Sequence, residues 1–165
     1  DHYPGVWRHG DWLEITARGG AIISGRSDAT LNRGGIRIGT AEIYSALAKL
    51  REVKDSLIIG LERKEGNYFM PLFVVLADGV ELSQDLKIKI KKIIRNQFSP
   101  RHSPDEVYAI EEVPYTLSGK KMETPVKNLF LGKDINKVVN RDAMKNPVSF
   151  DFFIQYKKDV IDKLL

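Results

Sequence analysis

The run GRSDATLNRGGIRIGTAEIY, Gly25 to Tyr44, decides how the rest of the chain is read. In twenty residues it holds three arginines (Arg26, Arg33, Arg37), the aspartate Asp28 and four glycines, and it ends in a helix start. Glycine reaches positive φ and lets backbone approach a ligand closely. The Gly34-Gly35 pair does this between two guanidinium groups, which match phosphate geometry. Solvated surface turns collect the same residues. The run alone therefore leaves two readings open: an ordinary turn, or a mobile loop that handles phosphate.

Length and composition narrow the class. At 165 residues the chain is long enough for one domain with a proper core and too short for two full ones. It opens on Asp1 rather than methionine, as expected of a piece of a longer chain. Absence of cysteine excludes a disulfide scaffold and thiolate metal sites. His2, His9 and His102 are too scattered to suggest a zinc set, so no metal ligands are assigned. No run of eighteen apolar residues and no leader pattern occurs, which predicts a soluble, cytoplasmic protein without a membrane partner. A net charge of +4 and a pI near 9.2 fit nucleic acid, a polyphosphate ligand, or neither.

Outward from the central run, Trp12–Thr16 and Ala21–Ser24 alternate as strands about an Arg18-Gly19-Gly20 turn, predicting a hairpin. Thr40 reads as a helix N-cap with Glu42 in the first turn, and Ile43, Ala46, Leu47 and Leu50 mark one helical face. Ser56–Gly60 and Tyr68–Leu76 read as paired strands, with Pro71 implying an edge position or a bulge. Ser83 opens a second helix whose Leu86, Ile90, Ile93, Ile94 and Phe98 share a side, while Lys87, Lys89, Lys91, Lys92 and Arg95 lie mostly elsewhere. That basic run is either a solvated outer face or a surface that recruits a phosphorylated partner. Val107–Ile110 is a strand expected to join the earlier pair. Thr124-Pro125 reads as a cap followed by a first-turn proline, and the helix behind it ends at Gly132. Beyond Lys133 an amphipathic segment carries Phe152, Phe153, Tyr156, Val160, Ile161 and Leu164, a face suited to packing on the domain.

The fold class expected is α+β: a small mixed sheet of about three strands flanked by helices, preceded by a two-stranded hairpin and followed by an extra helical segment. Divided as domains, residues 1–27 are expected to be the tail of a preceding domain, 28–132 a mobile C-terminal domain, and 133–165 a helical extension.

Three motifs in order carry a resemblance. Gly25, Arg26, Asp28, Gly35, Arg37, Glu42 and Ile43 form G-R-x-D with a later G-x-R and E-I; Trp7-Arg8-His9-Gly10-Asp11 forms W-R-x-G-D; and Pro114 to Lys121 forms P-x-T-x-S-G-K. Together they resemble the acyl-CoA synthetases of the adenylate-forming superfamily. The resemblance spans essentially the whole chain. It also takes in Tyr68–Leu76, the SGKKMETPVKNLFLG stretch and the VVNRDAMKNP run, and it points to the ligases of short acids, with acetoacetate expected and acetate or propionate as alternatives.

What the resemblance implies is specific. Lys120 is the catalytic lysine of adenylate formation; Asp28 is the hinge; Asp11 and Arg26 bind nucleotide, Asp11 by accepting from the ribose diol. Gly35, Arg37 and Arg95 contact coenzyme A. ATP, Mg2+ and coenzyme A are the implied cofactors, bound mainly with an N-terminal adenylating domain of the same chain, and the partners are that domain and a small acid. The isolated piece is expected to be inactive. Against the resemblance stands a small basic module that binds nucleic acid through the Lys87–Arg95 helix; it lacks an aromatic stacking platform, so nucleic acid is not expected. Lys121 is a rival for the role of Lys120, and Arg33-Gly34 departs from the family pattern, suggesting a loosened loop.

Overall fold

A computed structural model describes residues 4–6, 11–26, 30–62 and 67–164. Its centre is a three-stranded sheet in the order β5 (Val53–Ile58), β8 (Pro71–Leu76), β9 (Glu106–Ala109), with β5 antiparallel and β9 parallel to β8. Around it stand three small hairpins: β1 (Asp11–Ile15) with β2 (Ala21–Arg26), β3 (Leu31–Arg33) with β4 (Ile36–Ile38), and β6 (Leu61–Glu62) with β7 (Tyr68–Phe69). The expected α+β arrangement, with its leading hairpin and trailing helices, is what the chain adopts.

Strand side chains alternate between faces, and here the alternation feeds two separate cores. Ile58, Leu72, Val74 and Val107 point to one face, against Ile43, Ala46 and Leu47 of α1 (Thr40–Leu47) and Leu86, Ile90 and Ile94 of α2 (Gln84–Gln97). Leu57, Ile59 and Phe73 point to the other, against Val126, Leu129 and Phe130 of α3 (Glu123–Phe130) and the residues that follow. Cross-strand partners agree: Leu57 sits opposite Phe73 and Ile58 opposite Leu72.

The C-terminal residues complete the second core. After α4 (Ile135–Val138) and a short turn of helix at Arg141–Ala143, α5 (Ser149–Tyr156) runs through a π-helical stretch, Lys157–Ile161, into α6 (Asp162–Leu164). Phe153 and Tyr156 meet the Phe73 ring edge-on at 5.0 and 5.1 Å between centroids, an arrangement aromatic quadrupoles favour. The aromatic face thus packs on the domain as its pattern indicates, with Phe150 fully buried and Phe152 37% exposed.

Three local expectations change. Pro71 is not on an edge; it opens the central strand, where a missing N–H costs no ladder bond, and its carbonyl accepts from Ile59 N–H at 3.2 Å. Thr40 is not the cap of α1 but its first residue, buried, with Gly39 at the cap position. Met122 likewise precedes α3, so Thr124 and Pro125 fall inside the first turn, where a proline leaves no helical acceptor unpaired. The end of α3 follows expectation. Gly132, at φ 80°, donates to Leu129 O, and Lys133 N–H reaches Asn128 O, the paired bonds of a Schellman ending.

Candidate functional site

Lys120 lies on a tight turn built by its own backbone. Thr116 N–H donates to Lys120 O at 2.9 Å, Gly119 N–H returns to Thr116 O at 2.9 Å, and Lys120 N–H is held by Thr116 Oγ1 at 3.0 Å. Gly119 takes φ 77°, a conformation that L side chains rarely adopt, so this turn requires a glycine directly before the lysine. Leu117, Ser118, Gly119 and Lys120 are all exposed. Among the described residues the Lys120 ammonium has neither a hydrogen-bond nor an ion-pair partner.

Lys121 is the opposite case. Its Nζ donates to Asp55 Oδ1 at 2.6 Å and to Ser56 O at 2.5 Å, and stands 4.1 Å above the Tyr44 ring. The second Asp55 oxygen accepts from the Tyr115 hydroxyl at 2.7 Å. Asp55 is aimed there by a register slip in β5, where Val53 pairs with Leu76 but Asp55 with Val75. The slip leaves Val53 on the α1/α2 side and puts Asp55 on the same face as Leu57. Tyr44 donates to Glu123 Oε1 at 2.5 Å and accepts from Ile58 N–H at 3.2 Å. Burial first, then the Glu123 carboxylate, hold its phenol well above the ordinary value. Burial and then Asp55 push Tyr115 upward as well.

The Gly34-Gly35 turn joins β3 to β4 with φ of 59° and 78°, the two positive values of a type I′ hairpin. A Cβ at either glycine would meet nothing within 4 Å, so backbone twist, not crowding within this domain, accounts for both. The hairpin is not loosened by Arg33. That guanidinium donates to Ser103 O at 2.7 Å and to Asp105 Oδ1 at 2.5 Å, while Asp105 Oδ2 accepts from Met70 N–H at 2.8 Å. Leu31 and Ile38 root the hairpin in the α1/α2 core, and Arg37, opposite Asn32, is exposed. Arg95 is exposed in the last turn of α2. His102, stacked on Phe98 just past α2, has its Nε2 2.9 Å from Glu42 Oε2, which occupies this glutamate within the domain.

Asp11 and Arg26, fifteen residues apart, are cross-strand partners at the open end of the β1/β2 hairpin. Asp28 lies outside the described residues. Among the described residues no group of three acidic or histidine side chains could hold a metal ion, and no helix is long and apolar enough to cross a membrane. Asp55, Tyr115 and Asn146, which surround the Lys120 turn, carry no role in the sequence reading, although Tyr115 and Asn146 lie within the quoted motif stretches: each takes its meaning from a partner at least 31 positions away.

Three comparisons bear on this arrangement. Residues 42–120 match the family described as AMP-binding enzyme C-terminal domain. The chain is 44% identical over 153 residues to an acetoacetyl-CoA synthetase of Caenorhabditis elegans, covering 92% of this chain and 21% of that protein. It is 45% identical over 153 residues to the acetoacetyl-coenzyme A synthetase of Rhizobium meliloti (strain 1021), covering 93% and 23%. Among solved structures it superposes on an acetoacetyl-CoA synthetase from Streptomyces lividans with a TM-score of 0.85 at 47% identity, over 96% of this chain and 23% of that one. The chain thus spans about a fifth of the length of the curated relatives it matches.

Proposed function

We propose that this chain, whose residues 42–120 match the AMP-binding enzyme C-terminal domain, is the C-terminal part of an acetoacetate–CoA ligase and supplies the lysine of adenylate formation. In the first half-reaction an acetoacetate oxygen attacks the α-phosphorus of ATP and the bond to pyrophosphate breaks. Two anions must meet, and an ammonium between carboxylate and phosphate oxygens offsets their repulsion while aligning attacker and leaving group. Lys120 fills that role. In the second half-reaction the coenzyme A thiol attacks the acyl carbonyl and AMP departs.

The observation that carries the proposal is the contrast at the turn: Lys120 is exposed and uncommitted while Lys121 is tied to Asp55. A long cation at the exposed tip of a hydrogen-bonded turn suits a chamber formed with a neighbouring domain. The Gly34-Gly35 hairpin is rooted in one core and the Lys120 turn borders the other, which suits a domain that rotates about Asp28 to present first one and then the other. Gly35, Arg37 and Arg95 would then face coenzyme A, and Asp11 and Arg26 the nucleotide. Among the described residues no acidic cluster could hold a metal ion, so Mg2+ would be held mainly by the N-terminal domain.

The test uses the full-length enzyme. Lys120→Ala should abolish acetoacetate-dependent ATP–pyrophosphate exchange and spare thioester formation from supplied acyl-adenylate. Equal loss in both half-reactions would remove Lys120 from this role. Activity across acetoacetate, acetate and propionate identifies the acid.

A further inference from the structure

We propose that the segment Ala143–Asn146 is a brace for the Lys120 turn, with Asn146 as its positioning residue, so that the C-terminal extension takes part in adenylate formation without touching substrate. The inference rests on the reading of Lys120 given above. The outer side of the turn's first limb, residues 115–117, is paired to the extension throughout. Leu117 N–H donates to Ala143 O at 2.9 Å, Lys145 N–H donates to Tyr115 O at 2.9 Å, and Tyr115 N–H donates to Asn146 Oδ1 at 3.0 Å. The Asn146 amide then uses Nδ2 on Val113 O and on Glu112 Oε2, both at 2.9 Å. One side chain thus ties the first residue of the limb, Tyr115, and two residues just before it, Glu112 and Val113, to the extension.

The limb lies in the middle of a miniature sheet, bridged to Lys121 on one side and to Met144 on the other. The inner pairing comes from the turn itself and the outer pairing from a segment more than twenty residues downstream. The brace is itself anchored. Met144 and Val139 are buried in the core beneath Phe73, and Asn146 O accepts from Ser149 Oγ at 2.6 Å, fixing it to the start of α5. Arg141 and Asp151 pair across the same bend. An exposed hairpin tip with two-residue freedom at Ser118-Gly119 would otherwise spread its lysine over many positions, and aligning the reacting groups depends on confining it. Asn is suited to the task because one amide both accepts and donates, in a fixed plane.

The experiment follows the two half-reactions in the full-length enzyme with acetoacetate as the acid. Asn146→Ala is expected to lower the maximal rate of ATP–pyrophosphate exchange roughly 10- to 100-fold, with the KM for ATP unchanged within about twofold and thioester formation from supplied acyl-adenylate likewise unchanged. Asn146→Gln keeps both the acceptor and the donors but sets them one methylene out of place; it is expected to fall between Ala and the unaltered enzyme, and it serves alone if Asn146→Ala does not fold. A proportional fall in both half-reactions, or unaltered exchange, overturns the brace. Lys120→Ala run in parallel separates the two ideas: if it retains exchange, the lysine assignment fails, whereas if it loses exchange and the Asn146 variants do not, only the brace fails.

Discussion

Lys121 Nζ lies 2.6 Å from Asp55 Oδ1, whereas the ammonium one position earlier is exposed and, among the described residues, unpaired. Adjacent lysines therefore sit in different environments, and stability separates them without any assay of catalysis. Lys121→Met leaves the Asp55 carboxylate, about three-quarters buried, facing an empty site and frees a Ser56 carbonyl. A loss of about 2 kcal/mol is expected, the order of a charged hydrogen bond. Lys120→Met changes an exposed residue and should stay within about 0.5 kcal/mol. Urea midpoints of the two variants, compared at equal slope, decide the matter.

Phe153 shows that the residues beyond Gly132 are part of the domain's stability rather than a removable tail. Its ring is fully buried and contacts Phe73 of the central strand at 5.0 Å. Phe153→Ala is expected to cost about 3 to 5 kcal/mol, the range for truncating a buried aromatic side chain. Because the cavity opens in a core shared with α3 and the sheet, unfolding should remain a single transition by circular dichroism and by tyrosine fluorescence. Early loss of the α5 signal alone would show the extension to be separable.

Period and punctuation made most of this architecture legible. The strand pair, both long helices, the Gly132 ending and the amphipathic C-terminal face all follow from local pattern. The turns at Gly34-Gly35 and Gly119 follow from their own glycines, whereas the role given to Lys120 comes from the motif resemblance alone. The remainder depends on distance along the chain. Pro71 could not be placed in the centre of the sheet until β9, about thirty-five residues on, supplied the parallel partner. Asp55 becomes meaningful only through Lys121 and Tyr115, and Asn146 only through Tyr115, because a single acid or amide has no periodicity to betray its partner.

Two glycines are required for different physical reasons, and alanine should distinguish them. A Cβ at Gly60 would lie 1.7 Å from the Tyr68 hydroxyl and 2.8 Å from Leu31 Cδ2. Tyr68 also accepts from Asn32 N–H at 3.2 Å, so displacing it unseats the β3/β4 hairpin. Gly60→Ala is expected to cost about 1 to 3 kcal/mol as overpacking, and to raise hydrogen exchange at Asn32. Gly132 has open space around its Cβ but a φ of 80°. Gly132→Ala should cost about 1 kcal/mol from backbone strain, with exchange at Asn32 unaltered.

Among the described residues four tyrosines, Tyr44, Tyr68, Tyr115 and Tyr156, have their phenols held above the ordinary value, which fixes the sign of the alkaline response. Burial is the first cause at each. The Glu123 carboxylate adds to it at Tyr44, the Asp55 carboxylate at Tyr115 and the Tyr108 phenol at Tyr156, while Tyr68 is raised by burial against the opposing effect of Asn32 N–H. An unfolded tyrosine ionises near pH 10. Below that pH both states carry the proton and the contribution is fully present. As pH rises through about 10 the unfolded chain releases protons that the folded chain keeps, so stability falls with pH until the raised native values are passed. Phenolate absorbance should therefore show at least four phenols lagging beyond pH 10, rising together with the loss of helical circular dichroism. Ionisation of all six tyrosines near pH 10 with the helical signal intact would contradict the burial of Tyr44 between Glu123 and Ile58.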